Sequence, residues 1–166
     1  MIVVLLVMGA VVATVSAVLM GGLLLPRRHV VERSSVVPDG MHRVWSHLAD
    51  PARFASWRRD VRSVDLLADA PRRWREFTVD GAFAWECVQA DAPATLVLRA
   101  IDDDVQRRPE RRFTLHEHEL GTRVTCTESA VHDNPIPRFV YRYLLRPEPA
   151  LEALLADLAR AVTSPT

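Results

Sequence analysis

The chain has 166 residues with 21 basic and 21 acidic side chains, so its formal net charge is zero. A nucleic-acid-binding domain would carry a basic excess, and we therefore expect no nucleic-acid partner. Every basic residue is arginine, which excludes Schiff-base chemistry because that chemistry needs a lysine amine.

An uncharged, apolar segment opens the chain, from Ile2 to Leu25, and ends at Pro26-Arg27-Arg28. As a helix it would span roughly 36 Å, enough to cross a hydrocarbon core of about 30 Å. We predict a transmembrane helix, within an N-terminal anchor of residues 1–28. The alternative is a cleaved secretory signal with its cleavage site at 15–17. However, the apolar run continues beyond that site, and no basic side chain precedes it.

The arginines that follow the apolar segment predict its orientation. Arg27, Arg28 and Arg33 all lie on its C-terminal side, and the positive-inside rule places that side in the cytoplasm. We therefore expect a single-pass membrane protein whose soluble domain, residues 29–166, is cytoplasmic.

The soluble part begins with a valine-rich strand over 29–37, followed by two short helices starting near Asp39 and Pro51. Six further strand-like runs follow at regular spacing: 61–67, 74–79, 82–90, 96–101, 111–119 and 122–130. Asp80-Gly81 and Leu120-Gly121 are typical of tight hairpins. An antiparallel meander is therefore favoured over βαβ units.

The C-terminal tail predicts two helices, over 136–145 and 148–162, with a break at the prolines 147 and 149. The longer helix carries one apolar stripe of leucines that ends at Val162. This order of elements predicts an α+β fold in which a curved antiparallel sheet wraps around the long C-terminal helix.

Three local motifs of the soluble part are similar to those of a known superfamily. Val37-Pro38-Asp39 precedes Val44-Trp45, residues 48–57 read LADPARFASW, and a late hairpin contains Gly121-Thr122-Arg123-Val124-Thr125. With these motifs, residues 30–162 resemble the SRPBCC superfamily, the helix-grip fold of START lipid-transfer domains, birch-pollen-type allergens and polyketide cyclases. These are packing and turn motifs, so the resemblance predicts the fold better than the chemistry.

The resemblance implies a mostly apolar cavity between the sheet and the C-terminal helix, which holds a lipid-like or polycyclic molecule. Large apolar side chains of the helix pair and strands are its predicted lining: Trp57, Trp74, Phe77, Phe83, Trp85, Phe113 and Leu115. Polar groups that could face the cavity are Glu86, Arg99 and Glu117. The alternative is that the rings simply fill a hydrophobic core.

The role of the polar groups depends on which strand face points inward. If Phe83 and Trp85 point inward, Glu86 is exposed; if the other face does, Glu86 is a buried acid beside Arg99. An arginine-rich stretch over 58–75 contains acidic residues as well, which predicts a solvated surface.

No metal or cofactor is expected. His116 and His118 share one strand face, but the spacing is equally typical of a solvated sheet face, and a metal would need a further ligand. Glycine-rich phosphate loops are absent from the sequence.

The predicted function is a membrane-anchored module that binds a hydrophobic small molecule or lipid, so the expected partners are that ligand and the bilayer. One alternative is a polyketide cyclase/dehydrase-like enzyme with an acid–base group in the same cavity. A second alternative is an interaction domain whose cavity is filled by its own side chains.

Overall fold

The computed structural model describes residues 2–101, 109–140, 142–143 and 147–163. They belong to two compact units: Met1–His29 with Val131–Pro147, and Val30–Ala130 with Glu148–Thr166. Residues 131–147 thus group with the N-terminal helix, whereas the sequence assigned them to the soluble domain. The end of the predicted helix over 136–145 lies outside the described residues, as does most of the predicted loop after residue 101.

The elements follow the predicted order closely. The helices are α1 (Ile2–Leu24), α2 (Met41–Leu48), α3 (Phe54–Trp57), α4 (Pro135–Val140) and α5 (Glu148–Thr163), and a 3-10 turn (Pro51–Arg53) precedes α3. The strands are β1 (Arg28–Val37), β2 (Val61–Asp69), β3 (Arg72–Thr78), β4 (Gly81–Asp91), β5 (Thr95–Ala100), β6 (Glu110–His118) and β7 (Gly121–Val131).

In the first unit, α4 packs against the C-terminal end of α1. A Cβ atom built on Gly22 would lie 2.0 Å from the carbonyl oxygen of Pro135, so only glycine permits this approach of the two backbones. The guanidinium of Arg138 donates to the carbonyl oxygens of His132 (2.8 Å) and Asp133 (2.6 Å). The segment before α4 is thereby fixed. α1 itself is long and apolar enough to cross a membrane.

The second unit is built on the seven-stranded antiparallel sheet, in the order β1-β7-β6-β5-β4-β3-β2. The two predicted hairpins are confirmed: Thr78 pairs with Gly81, and His118 pairs with Gly121. Both glycines have a positive φ, +138° and +131°, which side chains of other residues rarely tolerate.

The inner face of the sheet and one face of α5 share a single hydrophobic core. The α5 residues in this core are the predicted stripe: Leu151, Leu154, Leu155, Leu158 and Val162. From the sheet, Trp85, Phe113 and Val124 pack into the same core, with each exposed by 5% or less. The predicted α+β helix-grip fold is therefore confirmed.

Asp157 on α5 fastens this helix to Arg59, which lies just after α3. Its carboxylate accepts hydrogen bonds from the backbone N–H (2.9 Å) and Nε (2.9 Å) of Arg59, and from Arg160. Burial by itself raises the pKa of Asp157, but these hydrogen bonds outweigh burial and hold the pKa below its ordinary value.

We expect Asp157→Asn to lower the free energy of unfolding by about 1–2 kcal/mol at neutral pH, because charge-assisted hydrogen bonds to the carboxylate are lost. The folded-state pKa lies below the unfolded one of about 3.9, so the stabilisation is complete above that value. As the pH falls through the folded pKa, the carboxylate takes up a proton and the stabilisation disappears. Urea unfolding of the full chain in detergent, followed by tryptophan fluorescence at several pH values, measures the difference in free energy of unfolding between wild type and variant. A gap between wild type and variant that widens with acid would contradict this assignment.

Candidate ligand-binding cavity

A cavity of about 450 Å³ lies in the second unit, between the end of α2 and the inner face of β3 to β5. This volume falls within the range of about 300–1,000 Å³ that is common for small-molecule sites. Its described lining is Trp45, Leu48, Ala49, Pro51, Arg72, Trp74, Cys87, Ala90, Ala92, Leu96 and Leu98. None of these residues belongs to α5, so this cavity differs in position from the one that the resemblance implied.

A β-bulge in β4 shapes one wall. Cys87 pairs with Leu98 and Gln89 pairs with Val97, so the register skips Val88. The extra residue reverses the alternation of side chains along the strand. As a result Cys87 and Ala90, three positions apart, both line the cavity.

Trp74 forms another wall, and a buried chain of polar contacts fixes its ring. Its Nε1 donates to Glu76 Oε1 at 2.8 Å, and Glu76 Oε2 accepts from Arg58 Nη1 at 2.8 Å. Arg58 also pairs with Asp60 at 2.6 Å. Glu76 and Arg58 are only 2% and 7% exposed, so the prediction of a solvated surface is wrong for these two residues. For Glu76 the physical reason is strand parity, because it lies on the same strand face as Trp74. Arg58 is buried with it because their side chains form an ion pair.

A half-buried ion pair joins β6 to β7 on the inner face. Arg111 Nη2 lies 2.7 Å from Glu128 Oε2, and the guanidinium carbon lies 5.0 Å from the centroid of the Trp85 ring. Burial by itself lowers the pKa of Arg111, but the Glu128 carboxylate outweighs burial and raises it. Sequence reasoning did not single out Arg111, although it has the same parity as Phe113, which was predicted to point inward.

Arg72 is the one charged side chain among the described lining residues. Its Nη1 donates to the carbonyl oxygen of Ala49 at 2.6 Å, which links the start of β3 to the end of α2. Burial raises the pKa of the Cys87 thiol, and the nearby Arg72 charge opposes that rise only in part. Cys87 is therefore a neutral thiol at neutral pH.

Of the seven apolar residues predicted to line a cavity, Trp74 lies on the wall of this one. The other six belong to the second unit but are not among the described lining. Trp85, Phe113 and Leu115 are buried in the core, and Phe83 packs against it half-buried. Trp57 packs edge-on against Phe54, at 5.8 Å between ring centroids. Phe77 alternates with the inward Trp74 and Glu76, which places it on the outer face.

The three polar candidates lie away from the described lining. Because Trp85 points inward, Glu86 lies on the outer face, where it pairs with Arg73 at 2.7 Å. Arg99 is on the same outer face and lies 3.5 Å from Glu110. Glu117 is exposed near the end of β6. Within the described part of the chain, no group of three or more side chains could hold a metal ion.

Comparison with solved structures agrees with this fold. The Zhui aromatase/cyclase from Streptomyces sp. R1128 is 14% identical, with a TM-score of 0.67 over 81% of this chain and 93% of that one. Truncated norcoclaurine synthase from Thalictrum flavum is 11% identical, with a TM-score of 0.67 over 84% and 96%. A START superfamily protein from Mycobacterium smegmatis is 17% identical, with a TM-score of 0.67 over 81% and 97%.

At these identities the likeness concerns the fold alone. A search of curated proteins finds no significant match. A family model described as "Polyketide cyclase / dehydrase and lipid transport" matches residues 28–163, which is most of the chain. The chain therefore belongs to the polyketide cyclase/dehydrase and lipid transport family, within the START-like helix-grip fold.

Proposed function

We propose that this protein is a membrane-anchored module that binds a hydrophobic small molecule or lipid in the cavity lined by α2 and β3 to β5. The observation that carries the proposal is the cavity itself: about 450 Å³, with Leu48, Leu96 and Leu98 among walls that are almost entirely apolar. Such walls favour an apolar ligand, because its transfer from water contributes about 25 cal/mol per Å² of buried apolar surface. An interaction domain filled by its own side chains would have no cavity of this size.

Binding is favoured over acid–base catalysis by the chemistry of the described lining. It contains no carboxylate and no histidine, and its one charged group, Arg72, is a guanidinium, which donates hydrogen bonds but has no acceptor atom. Because the pKa of the Cys87 thiol is raised, that thiol already holds its proton at neutral pH and does not serve as a base. A cyclase-like activity would need a proton-transfer group from elsewhere in the inner face, and the inner-face acids Glu76 and Glu128 are already paired with Arg58 and Arg111.

Membrane anchoring is supported by the first unit. α1 is uncharged and exposed along nearly its whole length, and Arg27 and Arg28 follow it directly. The same unit exposes Ile136 of α4 and Tyr143 after it, and tyrosine is enriched at the membrane–water interface. We propose that this end of α1 faces the cytoplasm. Ready labelling of a cysteine placed at position 28 by a membrane-impermeant maleimide in intact cells would contradict that orientation.

The binding proposal is tested with a photoreactive, diazirine-bearing dodecanol. The full-length protein is placed in phosphatidylcholine nanodiscs, irradiated with the probe and digested, and the labelled peptides are identified by mass spectrometry. We expect labelling of peptides that contain Trp74 or the pair Leu96 and Leu98, because these side chains line the cavity.

Two matched tryptophan variants make this test specific. Ala90→Trp places an indole in the cavity and should reduce labelling of the lining peptides by about tenfold. The indole would occupy volume that the probe needs. Gln89→Trp adds the same ring at an exposed neighbouring position that is not part of the described lining, and should leave labelling unchanged. Labelling that is equal in both variants, or confined to α1, would reject the cavity as the binding site.

A further inference from the structure

We infer that the ligand of this cavity carries an acidic head group, and that Arg72 recognises it. This inference rests on the proposed function, because it assigns a ligand class to the same cavity. The ligand class is an amphiphile with an apolar body and a carboxylate.

The composition of the described lining carries the argument. Ten of its eleven residues are apolar or weakly polar, and the remaining one is Arg72. Arg72 is exposed, whereas Trp74, two residues further along β3, is only 1% exposed. The cavity thus runs from an exposed guanidinium to a buried aromatic wall. A ligand that matches this polarity has one anionic end and one apolar end.

The guanidinium of Arg72 is held in position but retains donors for a ligand. Its Nη1 donates to the carbonyl oxygen of Ala49, and this bond fixes the group beside the lining residues Ala49 and Pro51. A guanidinium has five N–H donors in a planar fork, so one backbone bond leaves the others for a carboxylate. The neighbouring Arg73 differs, because its side chain lies on the outer face and is paired with Glu86 at 2.7 Å.

A neutral ligand would not use the positive charge of Arg72 or its paired N–H donors. The positive charge of Arg72 opposes the rise in the pKa of Cys87. Its electrostatic field therefore reaches another lining residue of the cavity. An alcohol or ketone head could accept a single hydrogen bond from it, whereas a carboxylate can accept two and also gains from the charge.

Competition experiments test this inference with the same photoreactive dodecanol and nanodiscs. Unlabelled dodecanoate and unlabelled dodecanol compete for the labelling of wild type, Arg72→Gln and Arg73→Gln. Comparing each competitor across the three proteins cancels its partition into the bilayer. We expect Arg72→Gln to weaken competition by dodecanoate about tenfold and to leave dodecanol unchanged, since a charge-assisted hydrogen bond is lost. Arg73→Gln should behave as wild type.

The outcomes separate this inference from the proposed function. If dodecanol labels the cavity but dodecanoate competes equally well in wild type and Arg72→Gln, the acidic ligand class is rejected. The cavity then remains supported as a binding site. If the lining peptides are never labelled, the proposed function fails first. Arg72→Lys, which keeps the charge without the fork, should retain part of the preference for dodecanoate. Its complete loss alongside intact dodecanol binding would show that the fork is required.

A membrane fatty acid and a water-soluble aromatic acid share this chemistry, and 2-naphthoate as a third competitor distinguishes them. Competition by dodecanoate alone assigns a chain-like acid from the bilayer. Competition by 2-naphthoate that depends equally on Arg72 assigns an aromatic acid from solution.

Discussion

Replacing Gly121 with alanine is expected to lower the free energy of unfolding by about 3–5 kcal/mol. The residue has a φ of +131°, and a Cβ atom there would lie 2.2 Å from the carbonyl oxygen of Val37 and 2.7 Å from the backbone nitrogen of Asp39. Backbone strain at such a φ costs about 1–3 kcal/mol, and the overlap with a neighbouring backbone adds a similar amount. The β6–β7 hairpin could form only if the end of β1 moved away.

The displacement would also break the hydrogen bond from Thr122 Oγ1 to the carbonyl oxygen of Asp39, at 2.7 Å. Urea unfolding of the full chain in detergent measures the loss by tryptophan fluorescence, because all four tryptophans lie in the second unit.

Gly81 provides the control for Gly121. Its φ is +138°, but no heavy atom lies within 4 Å of a Cβ built there. Gly81→Ala should therefore cost only the backbone strain, about 1–3 kcal/mol. Equal losses in the two variants would mean that the close approach to Val37 contributes nothing.

Glu76→Gln is expected to destabilise the fold by about 3 kcal/mol, although the substitution changes hardly any volume. The carboxylate is buried between Trp74 Nε1 and the Arg58 guanidinium, both at 2.8 Å. Removing one partner of a buried ion pair leaves the other charge without compensation, at a typical cost of 3–5 kcal/mol. Asp60 still neutralises Arg58 in part, which places the expected value at the lower end.

Glu86→Gln on the outer face of β4 is the matched control, since Glu86 also pairs with an arginine, Arg73. That pair is partly exposed, so its loss should cost no more than about 1 kcal/mol.

The double replacement Arg58→Met with Glu76→Leu should recover much of the stability, because both charges leave together. A double variant as unstable as Glu76→Gln would argue that Asp60 and Trp74, left without their partners, dominate the cost.

The buried pair of Glu76 and Arg58 also bears on the shape of the cavity. Glu76 holds the Trp74 ring of the cavity wall through a hydrogen bond from Trp74 Nε1 at 2.8 Å. A ring held in this way keeps its orientation without a ligand, as is typical of preformed small-molecule sites. A preformed apolar cavity loses little free energy to reorganisation when it binds.

The sequence alone determined the local structure and the class of fold. Twenty-four uncharged residues from Ile2 to Leu25 are enough to predict a helix long enough to cross a membrane, because length and polarity decide this without tertiary contacts. The hairpins at Gly81 and Gly121 follow from turn chemistry, and the leucine stripe of α5 from helical periodicity. These short-range signals suffice for an α+β meander closed by a helix.

Only the tertiary structure decided which strand faces point inward and where space remains. Alternation along β3 cannot by itself show that Glu76 is buried and Arg73 is not, since both faces carry charges. The bulge at Val88, which turns Ala90 toward the cavity, leaves no clear mark in the sequence. The cavity itself depends on how side chains from distant segments fill volume together. For that reason Arg72 could be recognised as a cavity-lining residue only after the end of α2 and the start of β3 were placed side by side.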